Sequence, residues 1–274
     1  MKKLICLAMS LIMVVALCAC GSTASTQPAQ QSSTGGSADS DLAYVKANGK
    51  LVIGYTVYEP MNYTDANGNF TGFDTELAQA VCEKLGVKPD FVEINWDTKE
   101  VELNAKSIDC IWNGLTITPE RQENMAITDP YVKNAQVVVM KKDAAYTDTS
   151  SLVGKTVVAE MSSAGEEAIQ GDANLSKANY VSKNVQTDCL MEVKAGTADA
   201  AVIDMTLAHA MIGDGTNYSD LAIKDYLAVE NYGVAFRKGS DICTAVNEIF
   251  KQMVADGSMK KLADKYGLEL SSSN

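Results

Sequence analysis

The sequence predicts an α/β protein of two lobes, each a mostly parallel sheet flanked by helices, with two chain crossings between them. Three observations predict it. Short apolar runs alternate with helix-period segments from Lys50 onward, a polar stretch over 141–151 breaks the series, and a second strand-helix series then runs until the chain returns to the first pattern near Tyr232. The length, 274 residues, suits two modest domains. One lobe is expected over 41–139 and 231–274, the other over 140–230.

Lys50-Leu51-Val52-Ile53-Gly54 reads as a buried strand feeding a loop that holds Tyr58-Glu59-Pro60-Met61. Asn67-Gly68 marks a tight hairpin turn between Tyr63 and Phe70. Asp74 is expected to cap a helix on which Leu77, Val81 and Leu85 share a face and which Gly86 ends. A strand over 89–94 completes the unit of a parallel sheet. Asp97, with Glu100 in capping-box spacing, is expected to open the next helix, and a strand over 108–112 follows. Thr118-Pro119-Glu120-Arg121 then starts a short helix: threonine caps it, proline sits where its missing N–H costs nothing, and glutamate faces the positive dipole end.

Residues 136–140 form another apolar strand. The second series is expected as strand 156–159, a helix near 166–169, strand 179–181, a helix near 188–195 and strand 200–203. Strand 232–236 and helices over 241–255 and near 259–266 finish the chain. In open α/β sheets ligands sit beyond the carboxyl ends of the strands, which here is the cleft between the lobes.

The net charge of −12 leaves no basic patch to neutralise phosphates, so nucleic acid is excluded as a partner. Residues 1–19 read as a secretory signal: Lys2-Lys3 precede an apolar run over 4–17 interrupted only by Ser10. That run is shorter than the about 20 residues a membrane span needs. Leu17-Cys18-Ala19-Cys20 resembles a bacterial lipobox, so Cys20 is expected to carry lipid, with several acyl chains giving a lasting membrane anchor. Residues 20–40, rich in Ser, Thr, Gln, Ala and Gly, cannot bury a core and read as a flexible tether. Cys82, Cys110, Cys189 and Cys243 form no C-x-x-C pair and read as buried thiols. With His209 the sole histidine, a zinc site is not expected, and no other metal or cofactor motif is visible.

Several motifs resemble family 3 bacterial solute-binding proteins, the extracytoplasmic receptors of polar amino-acid ABC transporters. They are Leu51-Val52-Ile53-Gly54, Gly68-x-Phe70-x-Gly72-Phe73-Asp74, Ile94-Asn95-Trp96-Asp97, and the long run Ile108-Asp109-Cys110-Ile111-Trp112-Asn113-Gly114-Leu115-Thr116-Ile117-Thr118-Pro119-Glu120-Arg121. Asp129-Pro130-Tyr131, Ala198-Asp199-Ala200-x-x-x-Asp204 and Tyr232-Gly233-Val234-Ala235-Phe236-Arg237-Lys238 complete the resemblance. It implies a periplasmic-binding-protein-like, hinge-closing fold. It also implies a monomer that captures a free amino acid and hands it to ABC permease subunits.

The chemistry has its own logic. A free amino acid carries a carboxylate and an ammonium on one carbon, so a receptor needs a fixed cation on one side and an anion on the other. Arg121, with a planar guanidinium just inside a helix start, suits the carboxylate. Asp204, at the end of an apolar strand, suits the ammonium, although the same position could simply cap the helix after it. Each charged hydrogen bond contributes about 1.5–3 kcal/mol, so three or four reach the roughly −8 kcal/mol of a micromolar site. The resemblance implies further roles. The Thr116 backbone N–H, Ser162 and Ser163 would add donors to the carboxylate, the Thr116 hydroxyl and the Asn113 or Gly114 carbonyl would meet the ammonium, and Tyr58 and Trp96 would wall the side chain. Glu160 would belong to the side-chain pocket. The loop Met161-Ser162-Ser163-Ala164-Gly165 departs from the usual Gly-Thr-Thr pattern, which leaves its donor register open by one residue. Trp112 is expected in the core.

Two other functions share the fold. A cyclohexadienyl-dehydratase-like enzyme would use a cleft carboxylate, for which Glu160 is the candidate; no nucleophile–base pair or phosphate loop accompanies it. An amino-acid sensor would report to a separate signalling partner.

Overall fold

The structure, a computed structural model, describes residues 40–272. The expected signal segment, the lipidation site Cys20 and nearly all of the tether lie outside the described residues. In chain order the elements are α1 (Asp41–Asn48), β1 (Lys50–Tyr55), β2 (Tyr63–Thr64), β3 (Phe70–Thr71), α2 (Phe73–Leu85), β4 (Lys88–Glu93), α3 (Lys99–Asn104) and β5 (Cys110–Thr116). Next come α4 (Pro119–Asn124), β6 (Met125–Ile127), β7 (Val132–Lys141), β8 (Thr156–Glu160), α5 (Ala164–Gly171), β9 (Asn179–Lys183), α6 (Gln186–Ala195) and β10 (Ala200–Asp204). The chain ends with α7 (Met205–Met211), β11 (Leu221–Arg237), α8 (Ile242–Ala255) and α9 (Ser258–Lys265).

One nine-stranded sheet runs in the order β4-β1-β5-β11-β7-β10-β8-β9, with β6 also on β11. Its two wings are parallel: β1 pairs with β4 and β5, and β8 with β9 and β10. Between them β7 and β11 form an antiparallel ladder from Leu221↔Lys141 to Tyr232↔Val132, with register shifts at Ile223/Asp225 and Tyr226/Ala228. Such bulges bend and twist a strand. Strand β11 therefore leaves one wing and enters the other, where it pairs with β5. The result is the two-lobed α/β fold, with helices covering each wing.

Most expected elements stand where the sequence puts them, and β11 starts eleven residues earlier than expected, at Leu221 rather than 232. Two caps are corrected. Helix α2 is entered through Gly72 with no side-chain cap. Asp74 is instead fully buried, accepting from the Gly114 N–H at 2.7 Å and the Tyr131 hydroxyl at 2.8 Å. Asp97 caps nothing; Asn95 caps a 3-10 turn over Trp96–Thr98, and α3 begins after it.

The core is layered around β5, every residue of which is buried. Trp112 lies against Phe250 of α8, with ring centroids 5.9 Å apart, and so belongs to the core as expected. The other lobe has its own cluster, in which Val138, Val157, Ala200 and Val202 of the sheet meet Ile169 of α5. Cys82, Cys110, Cys189 and Cys243 are buried free thiols.

Candidate functional site

The carboxyl ends of both parallel wings point at the junction. Thr116 ends β5, Glu160 ends β8 and Asp204 ends β10, while Tyr58 and Trp96 follow β1 and β4. This is the position at which open α/β sheets bind ligands.

Thr118 caps α4, its hydroxyl accepting the Arg121 N–H at 3.2 Å, and Pro119 takes the first helical position. The cap fixes the backbone of Arg121 and turns its side chain inward, where it is 4 % exposed. One guanidinium N–H donates to the Thr116 carbonyl at 2.9 Å and another to Glu167 of α5 at 2.7 Å. Two of five N–H groups are thus engaged and three remain, enough to receive a carboxylate in fork geometry. Its acidic partner is Glu167, not the sequence neighbours Glu100, Glu120 or Glu123.

Asp204 stands in the cap position of α7 but makes no side-chain cap bond. Its carboxylate accepts from Asn134 and Gln136 of β7, each at 2.6 Å, and from Gln186 of α6. Beside it, Glu230 of β11 accepts from the same Asn134 and Gln136 amides at 2.6 and 2.9 Å and from the Thr116 hydroxyl at 2.8 Å. Two buried carboxyls therefore share two amides. Burial, and then the Asp204 charge, push Glu230 above the usual carboxylate range. The same two causes push Glu160 up to about 8. Glu160 is 4 % exposed and its Oε1 has no hydrogen-bond partner among the described residues.

Tyr58 is buried, its hydroxyl 2.6 Å from that of Tyr232 and also bonded to Thr206 of α7. Gly114 must be glycine: its φ is +60°, and a Cβ there would sit 2.7 Å from the Tyr58 ring. The Asn113 side chain is spent on Thr56 and Asn62, which leaves only its backbone for a ligand. Trp96 is 5 % exposed and its indole N–H has no partner among the described residues. Lys99 lies over that ring, 4.9 Å from the centroid, and donates to the Trp96 and Ser162 carbonyls.

Together Tyr58, Trp96, Asn113, Gly114, Thr116, Arg121, Glu160, Ser163 and Asp204 line one cavity, closed by Ala164 and Gln186, with an empty volume of about 270 Å³. A second cavity lies under α8, lined by Tyr131, Phe250, Val254 and Met259 with Asp129 and Lys251, away from the carboxyl ends of the strands.

Ser162 is the exception among the expected residues. It takes a left-handed φ of 56°, donates its N–H to Glu166 and its hydroxyl to Asp97 at 2.7 Å, and stays off the cavity wall. The wall is built one residue later, by Ser163 and Ala164. Ser163 caps α5, its hydroxyl accepting the Glu166 N–H at 3.2 Å and donating to the Glu160 carbonyl at 2.7 Å. Ser162 instead ties the lobes together with Lys99 and Asp97.

Sequence reasoning missed Asn134, Gln136, Gln186 and Glu230. Gln136 left a signal, a lone amide opening an apolar strand, which demands a buried partner. Glu230 left none, because nothing local marks β11 as reaching back to 221.

These carboxyls set a pH dependence. Asp74 is raised to about 7, mainly by burial, and Glu160 to about 8. A raised folded-state value means stability that is complete below the unfolded value, 3.8 for Asp74 and 4.5 for Glu160, and is lost as pH rises through the folded one. Carboxyls held low by hydrogen bonds, such as Asp172 and Asp241, act at lower pH and with the opposite sign. The melting temperature of the unliganded protein is expected to peak around pH 5 and fall toward pH 8, as a calorimetric series will show. A flat profile between those limits would mean that Asp74 and Glu160 are not desolvated as described.

A two-lobed α/β protein with opposite charges meeting at the carboxyl ends of both parallel wings is built to hold a small polar solute. Residues 51–269 match the family described as bacterial extracellular solute-binding proteins, family 3. The chain belongs to that family and is an extracytoplasmic solute receptor. It is 28 % identical over 268 residues to the arginine-binding extracellular protein ArtP of Bacillus subtilis, covering 97 % of this chain and 98 % of that one. The crystal structure of a P235GK mutant of ArgBP from T. maritima is similar at a TM-score of 0.76 and 32 % identity, covering 82 % of this chain and 98 % of its own. An ancestral amino-acid-binding protein, AncCDT-1, described as a precursor of cyclohexadienyl dehydratase, is similar at a TM-score of 0.75 and 32 % identity, covering 83 % of this chain and 99 % of its own.

Proposed function

We propose that the chain binds a free polar α-amino acid between its lobes and delivers it to the permease subunits of an ABC importer. The observation behind this reading is the placement of Arg121 and Asp204, from different lobes, on the wall of one buried cavity. Arg121 takes the α-carboxylate with three unengaged N–H groups. Asp204 takes the α-ammonium, the Asn134, Gln136 and Gln186 amides holding its carboxylate in place. Ser163 and the Thr116 backbone supply further donors, the backbone of Asn113 or Gly114 a carbonyl, and Tyr58 and Trp96 flank the side chain. In this reading the lobes are 41–139 with 231–274 and 140–230, and a monomer closes by bending at the β7–β11 ladder. The leader over 1–19 is removed and Cys20 carries the lipid that holds the receptor at the membrane, with the rest of 20–40 as tether.

A thermal-shift screen of the twenty amino acids tests the reading. A true ligand at a hundred times its Kd stabilises by about 2.7 kcal/mol, a rise of roughly 5–10 °C for a chain of this size. One or a few amino acids are expected to give it. No shift from any of them would defeat the proposal.

A catalytic reading has one observation in its favour: Glu160 is a buried acid that keeps its proton at neutral pH, as a general acid must. The other carboxylate on the cavity wall, Asp204, is taken up by the Asn134, Gln136 and Gln186 amides, and the resemblance to AncCDT-1 is to an amino-acid binder. Incubation with prephenate or arogenate separates the two, since turnover of either would establish catalysis.

A further inference from the structure

Resting on the receptor reading, we infer that Glu160 is a specificity-determining residue and that the cleft is built for a cationic α-amino acid, whose side-chain guanidinium or ammonium the Glu160 carboxyl receives. A zwitterionic head group engages Arg121 with its carboxylate and Asp204 with its ammonium. It leaves Glu160 unanswered. Glu160 lines the same cavity and is almost completely buried, and its Oε1 lacks any donor among the described residues. A buried acceptor left this way costs stability unless a donor reaches it, and a cationic group in the cavity supplies such a donor.

The neighbouring cation does not fill the gap. Lys99 spends its ammonium on the carbonyls of Trp96 at 3.2 Å and Ser162 at 3.0 Å. Glu230, in the layer behind, is already satisfied by Thr116, Asn134 and Gln136. An acidic side chain would place an anion among Glu160, Asp204 and Glu230. A neutral one would give the Glu160 carboxyl no charge to pair with. A cation pairs with its ionised form, and the rings of Trp96 and Tyr58 on the same wall are surfaces over which a guanidinium or ammonium is attracted.

Protons give an independent readout. In the unliganded protein Glu160 holds its proton, facing Asp204 of β10, Lys99 beside Trp96 and Asp188 of α6, with the Gln186 amide between. An arriving cation favours the ionised form, so binding must expel that proton.

The test is calorimetric titration of the purified protein and its Glu160→Gln variant with L-arginine, L-lysine, L-glutamine and L-citrulline, the last matching arginine in shape without its charge. Arginine or lysine is expected to bind the wild type most tightly and to lose about ten- to hundred-fold in the variant, while glutamine and citrulline change by less than about three-fold. The wild type, titrated at pH 7 in two buffers of different ionisation enthalpy, is expected to release up to roughly one proton on binding arginine and far less on binding citrulline. This second measurement needs no variant and stands if Glu160→Gln fails to fold. Citrulline or glutamine binding as tightly as arginine, or an equal loss for all four ligands in the variant, overturns the inference while leaving the receptor reading intact. Absence of binding by every amino acid removes the receptor reading itself.

Discussion

Arg121→Ala is expected to abolish amino-acid binding. The guanidinium is the cation on the cavity wall with unengaged N–H groups, since Lys99 is turned to carbonyls. Removing one partner of a buried, hydrogen-bonded charge pair costs about 2–5 kcal/mol, roughly thirty- to several-thousand-fold in affinity. The fold has little to lose at this position. Glu167, the present partner, has a half-exposed side chain and returns to water cheaply. The Thr116 carbonyl loses a single donor. Arg121→Lys separates charge from geometry, because an ammonium keeps the attraction but not the parallel bonds, and should fall between wild type and alanine. Calorimetric titration measures both; an alanine variant that binds within about three-fold of wild type would show that the carboxylate goes elsewhere.

Asp204→Asn should be nearly as severe for binding, with a different signature in the unliganded protein. The substitution keeps the size of the side chain and removes the negative charge an ammonium needs. It also sets an amide N–H₂ among the donors Asn134, Gln136 and Gln186, so part of the network must rearrange. Affinity for the ligand is expected to fall by about 2–5 kcal/mol. At the same time the repulsion that helps raise Glu160 and Glu230 disappears, so both carboxyls should titrate at lower pH. NMR titration of the glutamate carboxyl carbons reads this directly. Lost binding with unchanged glutamate titration would place Asp204 farther from Glu160 and Glu230 than described.

Much of this architecture is legible before any coordinates. The Thr118-Pro119-Glu120-Arg121 start is a local device, with cap, proline and dipole partner all within one turn, and it places Arg121 as expected. Asp204 is legible for a similar reason, since a charged residue closing the apolar run from Ala200 has few places to go but a strand end. What the sequence hides is non-local. Asp74 has the composition of a cap, yet tertiary burial against Tyr131 and Gly114 overrides it. Asp97 likewise serves Ser162 across the cleft rather than its own helix. The one-residue shift from Ser162 to Ser163 depends on a left-handed turn that no residue type at 162 announces. Glu230 enters the site only because β11 crosses from one wing to the other, and crossings between wings are set by sheet pairing rather than by local pattern.

The account stands on a zwitterion held between jaws of opposite charge. An X-ray structure of the protein with its tightest-binding amino acid tests that most directly. It should show the α-carboxylate oxygens about 2.7–2.9 Å from the Arg121 guanidinium and the ammonium within a similar distance of the Asp204 carboxylate. A ligand bound outside this cavity, or one whose head group meets neither side chain, would contradict it.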